Sequence, residues 1–309
     1  QADGNMFEFY RKGEWLTKNR VGYGWNVGST DYKNSTAIHN ITPAHNYDYR
    51  NINWTRGSQW NYVNDGDGQI LAKTFADNYI YLLGDATGLY NSTYEGATDV
   101  AHASRSIIWL KPDFIVVYDR AVSKSPNQFK RFWLNLPANA SISGRVAAMT
   151  TEKGQQLFVS SLLPATSTMA VEAAETLGSE PADADLIKYR IKVEATNNPL
   201  SARFLHVLQG ADAGASADAA ALVQSISGNS YDGAAINGKL VMFPKDIGSF
   251  TGLTYDAPAG TYAHYVAGLS PNTNYTVAFS LVDGKTRVAI SPGGSITSDS
   301  GGVLVFTHD

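Results

Sequence analysis

The sequence predicts an all-β chain of many short strands with little helix. Three observations carry this. Apolar residues come in short runs, as at 79–83, 106–110 and 114–118. The latter two are rich in branched and aromatic side chains, which suits strands better than helices. Gly, Asn, Ser and Thr are abundant while only 17% of the residues are charged, the composition of a turn-rich extracellular β protein. No segment repeats at a fixed period, which argues against a propeller or a solenoid.

The chain is organised around 79–137. Lys111-Pro112-Asp113 separates two of its runs. Proline presets φ and has no amide to donate, so the tripeptide reads as a tight turn between paired strands. In the strand that follows, Lys130, Phe132, Leu134 and Leu136 share one face, apolar from Phe132 onward. Phe114 and Trp133 are expected to be buried.

Residues 1–16 read as a strand, a turn at Lys12-Gly13 and a second strand, with Phe7 and Phe9 on one face. A strand this close to Gln1 predicts that sequence precedes it. Residues 17–70 are polar and aromatic, and only 37–42 looks like a strand. So long a weakly structured region is either functional or a set of loops packed over a sheet.

Downstream, strands are expected at 156–162, 188–194, 203–209, 239–243, 262–266, 275–281, 287–290 and 303–306. The unbroken alternation of 188–194 predicts one buried and one solvated face. Residues 175–185 and 291–302 read as loops, the Ala-rich 211–222 as one or two helical turns, and Asp283-Gly284 as a hairpin turn. Pro258 to Gly260 marks a boundary, dividing the chain into 1–254 and a strand set, 255–309, packed on the same sandwich.

Net charge is −4 and no basic block occurs, which argues against a nucleic-acid partner. No apolar run approaches the roughly 20 residues of a membrane span. Cysteine is absent, so disulfides and thiol chemistry are excluded. Six sequons, at Asn34, Asn40, Asn53, Asn91, Asn139 and Asn274, signal glycosylation only in a eukaryotic host.

Four segments carry a family resemblance. Residues 1–16, QADGNMFEFYRKGEWL, resemble the start of the β-sheet domain of heparinase II/III-like polysaccharide lyases, where a leading His stands in place of Gln1. Asn34-Ser35-Thr36-Ala37-Ile38-His39-Asn40-Ile41 resembles the family's Ser-x-x-His-Asn-Thr segment, with Ala37 where some members have a second His. Gly84-Asp85-Ala86-Thr87-Gly88-Leu89-Tyr90 is similar to its Gly-Asp-Ala-x-x-x-Tyr segment. The most specific match is 105–120, RSIIWLKPDFIVVYDR, to its Arg…Lys-Pro-Asp…Asp-Arg strand pair. The similarity spans roughly 1–210.

The resemblance implies the C-terminal part of such a lyase: a large antiparallel β super-sandwich that an N-terminal α/α toroid would join. It implies a secreted, periplasmic or cell-surface protein, bacterial in type, that acts on or binds acidic polysaccharide. The family's catalytic Tyr and its substrate-positioning Asn or His belong to the toroid, so no catalytic residue is assigned here. The alternative is a non-catalytic module for carbohydrate binding or extracellular self-assembly.

The resemblance also points to a metal, since the His matching His39 lies near or in a zinc site. With no Cys, the shell must be His and carboxylate. His39, Asp85 and His102 are the candidate ligands of a structural zinc, against the plainer reading of His39 as a satisfied loop histidine. Asn64-Asp65-Gly66-Asp67-Gly68 resembles part of a calcium loop, or is a β-turn. Trp54, Trp60 and Tyr62 are candidates for a sugar-stacking platform, or for core packing. The 17–62 face is expected to fold over the sheet, meet a toroid, or bury itself against a second copy of the chain.

Overall fold

The computed structural model describes residues 4–20, 29–40, 56–59, 64–174 and 187–308. The named helical elements among them are two 3₁₀ turns, Thr30–Tyr32 and Thr87–Tyr90. A hairpin comes first, β1 (Phe9–Arg11) and β2 (Glu14–Thr17), turned at Lys12 and Gly13 with φ of 45° and 87°. β3 (Thr36–Ile38) follows. A meander then runs through β4 (Gln69–Phe75), β5 (Tyr79–Asp85), β6 (Val100–Leu110) and β7 (Phe114–Ser123). Next come β8 (Lys130–Leu136), β9 (Ala140–Ser143), β10 (Val146–Thr150), β11 (Gln156–Leu163), β12 (Ser167–Ala173), β13 (Tyr189–Ala195) and β14 (Ser201–Ala211). The remainder is β15 (Ala221–Gly228), β16 (Tyr231–Ile236), β17 (Lys239–Pro244), β18 (Leu253–Ala257), β19 (Tyr262–Val266), β20 (Asn274–Val282), β21 (Lys285–Pro292), β22 (Ile296–Thr297) and β23 (Leu304–His308).

Three large sheets result. The middle one has eight strands in the order β4-β5-β6-β7-β14-β11-β10-β9. A four-stranded sheet, β12-β13-β8-β3, covers one of its faces, and a nine-stranded sheet, β22-β20-β21-β18-β15-β16-β17-β19-β23, covers the other. Among the described residues every pairing is antiparallel except β17 with β19.

The two-residue period of a strand decides which core a side chain enters. On β7, Ile115, Val117 and Ala121 face the four-stranded sheet, where they meet Phe132, Leu134 and Leu136 of β8. Phe114, Val116 and Tyr118 face the nine-stranded sheet and meet Val241 and Phe243 of β17. A strand buried on both faces cannot alternate apolar and polar, which is why 114–118 reads as an unbroken run. The nine-stranded sheet curls until β22 and β23 touch. It encloses its own core of Tyr231, Leu240, Tyr255, Val288 and Leu304.

Three expectations change. The 211–222 segment holds no helical turn: it is the end of β14, a connection, and the start of β15. Pairing of β15 with both β16 and β18 overrides the helical preference of alanine. The outer face of β13 is not solvated at Arg190, which is 4% exposed. Residues 29–32 fold over it, with Asp31 2.9 Å from its guanidinium and the Tyr32 ring 4.8 Å away. The third concerns β6, which begins at Val100, six residues before the apolar run. Its first half is built of small and polar residues whose hydrogen bonds close inside the protein. The division at residue 254 falls inside β18, within the nine-stranded sheet.

Candidate functional site

Motif residues on β5, β6 and β7 of the middle sheet meet the segments around Asn5 and Asn34. Arg105 on β6 stands opposite Asp119 on β7, each side chain 3% exposed. The guanidinium donates Nε to Asp119 Oδ1 at 2.6 Å and Nη2 to Oδ2 at 2.9 Å, the bidentate geometry that suits arginine. Its Nη1 donates to the carbonyls of Asn5 at 2.7 Å and Asn34 at 2.6 Å. The pair therefore ties two distant segments to the sheet.

Asn34 extends the junction. Its Nδ2 donates to the Phe7 carbonyl at 2.8 Å, and its Oδ1 accepts the Asn135 amide at 2.7 Å. Gly84 is where the Asn5 side chain crosses β5: an added Cβ would lie 2.2 Å from Asn5 Oδ1. Asn40 Nδ2 donates to the Tyr90 carbonyl at 2.8 Å, and Asn40 Oδ1 accepts the Asp99 amide at 2.9 Å. The sequon asparagines 34, 40 and 91 are thus buried and 139 and 274 exposed, while 53 lies outside the described residues.

His39 is half-buried. Its Nδ1 bonds Gln128 Oε1, and its ring stacks on Phe129 with centroids 4.9 Å apart. His102 on β6 and Asp85 on β5 do come together, Nδ1 to Oδ2 at 3.9 Å, with about 30% of each side chain exposed. His102 Nε2 meets Ser104 Oγ at 2.8 Å, and Asp85 Oδ1 accepts the Thr87 amide at 2.7 Å. Burial holds the His102 pKa below its ordinary value despite Asp85. Burial thus favours the neutral imidazole.

Zinc takes three or four protein ligands. Among the described residues no group of three His, Asp or Glu stands together. The described residues therefore do not make a complete zinc shell. At the Asp65 loop, Thr93 donates its amide to Oδ1 at 2.7 Å and its hydroxyl to Oδ2 at 2.9 Å. That carboxylate clips two loops together. Trp54, Trp60 and Tyr62 lie outside the described residues.

Sequence reasoning missed Lys130. It is fully buried, donating Nζ to the carbonyls of Gln128 at 2.9 Å and Pro199 at 2.8 Å. Loss of solvent lowers its pKa to about 8. A lone lysine at the start of a strand carries no signal of this, because burial came from segments far along the chain.

No protein-family model matches the chain, and no curated protein sequence matches it significantly. Solved structures do. A mutant of heparan sulfate lyase HepC from Pedobacter heparinus aligns with a TM-score of 0.58 at 16% identity, covering 80% of this chain and 37% of that one. Heparinase III aligns with a TM-score of 0.57 at 11% identity, covering 79% and 35%. The chain has the β-sandwich fold found in those lyases and spans little more than a third of their length.

Proposed function

We propose that this chain is the β-sandwich portion of an extracellular, lyase-like protein that acts on or binds acidic polysaccharide. The fold match to heparan sulfate lyase HepC over 80% of the chain carries this reading. In a lyase of this kind a base removes the proton beside a uronate carboxylate and the 4-linked sugar departs, with the carboxylate charge neutralised. The sandwich supplies one wall of the cleft, with His39 and the Asp85–His102 dyad as its candidate groups. Trp54, Trp60 and Tyr62 supply a stacking surface for pyranose rings.

A binding module without catalysis is the second reading. It is favoured by the engagement of Asp85 with the Thr87 amide and of His102 with Ser104. Incubation with uronate polysaccharides, following absorbance of the unsaturated product, separates the two. The chain alone is expected to bind acidic polysaccharide on a glycan array without turnover, and Trp54→Ala or Trp60→Ala to weaken that binding. Turnover by the chain alone would show a complete catalytic site. Absence of both binding and turnover would end the polysaccharide reading.

A further inference from the structure

A cleft of about 490 Å³ opens between the nine-stranded sheet and the ends of β11, β13 and β14, a volume in the range of small-ligand sites. None of His39, Asp85 and His102 lines it. Among the described residues no aromatic lines it, and the groups it offers there are charged and polar.

Two cations stand at this cleft, Arg203 and Lys245. Among the described residues its one lining carboxylate, Asp232, is 2% exposed and already satisfied. Asp232 Oδ2 accepts the Tyr118 hydroxyl at 2.7 Å, and Oδ1 accepts Gln224 Nε2 at 2.7 Å. Lys245 Nζ lies 3.4 Å from Oδ1, with a third of its side chain still exposed. The Arg203 guanidinium meets Asp246 at 3.0 Å, but that carboxylate is 85% exposed. Solvent screens such a pair, and an incoming anion can replace it.

The cations are also held. Buried Arg120 donates Nε to the carbonyls of Pro244 at 3.0 Å and Lys245 at 3.2 Å. Arg203 Nε donates to the same Lys245 carbonyl at 3.2 Å. The backbone beneath Lys245 is thereby fixed from the middle sheet before any ligand arrives, which lowers the ordering cost of binding.

We propose that this cleft binds an anionic sugar unit, its carboxylate or sulfate between Arg203 and Lys245 and its hydroxyls against Thr166, Asn197, Ser201 and Gln224. The proposal rests on the acidic-polysaccharide reading and adds a second contact site to it.

Calorimetric titration of the folded chain tests this with three tetrasaccharides: an unsulfated uronate-containing one, a heparin-derived sulfated one and a neutral glucan. Arg203→Gln and Lys245→Met are each expected to weaken acidic-sugar binding about tenfold, as for loss of a charge-assisted hydrogen bond. Asp246→Asn, which removes the competing carboxylate from Arg203, is expected to tighten it, and it remains a readable variant if the others do not fold. Binding of the unsulfated sugar identifies the carboxylate as the recognised group; binding of the sulfated one alone identifies sulfate. Unchanged affinity in all three variants would overturn the cleft while leaving the polysaccharide reading intact. No binding by the wild type would overturn both, and equal binding of the neutral glucan would overturn the charge argument.

Discussion

Arg105 and Asp119 face one another across the β6–β7 hairpin, and their buried pair is the knot to which Asn5 and Asn34 are tied. The geometry is bidentate and the guanidinium's other donors reach carbonyls, so the desolvation that makes buried ion pairs costly is offset by hydrogen bonds. Removing one partner leaves the other charge uncompensated. Asp119→Ala is expected to destabilise the fold by about 3–5 kcal/mol, whereas Arg105→Met with Asp119→Leu costs much less. Urea denaturation of the three proteins measures this. A single variant within 1 kcal/mol of wild type would show that the pair does not hold the junction.

The second prediction concerns the other face of β7. Phe114 is 6% exposed in the core shared with the nine-stranded sheet. Phe114→Ala is expected to cost about 3–5 kcal/mol, the range for deleting a buried aromatic ring. A loss below 1 kcal/mol by the same denaturation measurement would mean that the two sheets do not close over it.

Much of this was legible in the sequence, and the reason is locality. A hairpin turned at Pro112 pairs residues equally far from it, which places Arg105 opposite Asp119. Asp283 and Gly284, with φ of 50° and 74°, make the turn between β20 and β21 that their sequence announces. What stayed hidden depends on distant packing. Asp119 and Arg120 are neighbours whose side chains leave opposite faces of one strand. Asp119 binds Arg105, while Arg120 reaches the carbonyls of Pro244 and Lys245. β16, reading YDGAAI, has too few branched residues to announce a strand. Its Gly233 is required because a Cβ would lie 2.2 Å from the Val241 carbonyl. At the candidate site, the meeting of Asp85 with His102 follows from the β5–β6 pairing. The binding of His39 to Gln128 needs the β3–β8 pairing, which no local signal sets.

Acid is expected to weaken the fold through two buried histidines. His206 is fully buried, both ring nitrogens lack partners among the described residues, and its ring lies 4.0 Å from that of Phe132. Burial, with Arg105 and Arg145 adding to it, pushes its pKa down to about 3. His264, bonded to Tyr255 and His308, is also pushed down to about 3, by burial and then by His308. Both are neutral when folded, whereas an unfolded histidine titrates near 6.5. Between these values only the unfolded state takes up the proton. Stability present above pH 6.5 is therefore lost as pH falls toward 3, at about 1.4 kcal/mol per pH unit for each group. Denaturation midpoints at pH 7.5 and 4.5 read the loss, and His206→Leu removes its share of the slope. A His206→Leu protein as acid-sensitive as wild type would assign the slope to other groups.

The last prediction separates steric fit from backbone strain at the N-terminal junction. Gly84 does not have positive φ, so alanine there is strained only by what its methyl would meet, Asn5 Oδ1. Gly84→Ala must therefore displace Asn5 and weaken its carbonyl's bond to Arg105. Asn5 itself has φ of 60°, a conformation glycine accepts freely. Asn5→Gly consequently clears the collision without adding strain of its own. Gly84→Ala alone is expected to cost about 1–3 kcal/mol, as overpacking does. It should also expose the first residues to protease. Combined with Asn5→Gly it should regain most of that stability, a non-additivity expected of residues in contact. If the two losses simply add, the Asn5 side chain is not what excludes a methyl at residue 84, and the close crossing of the N-terminal segment over β5 is wrong.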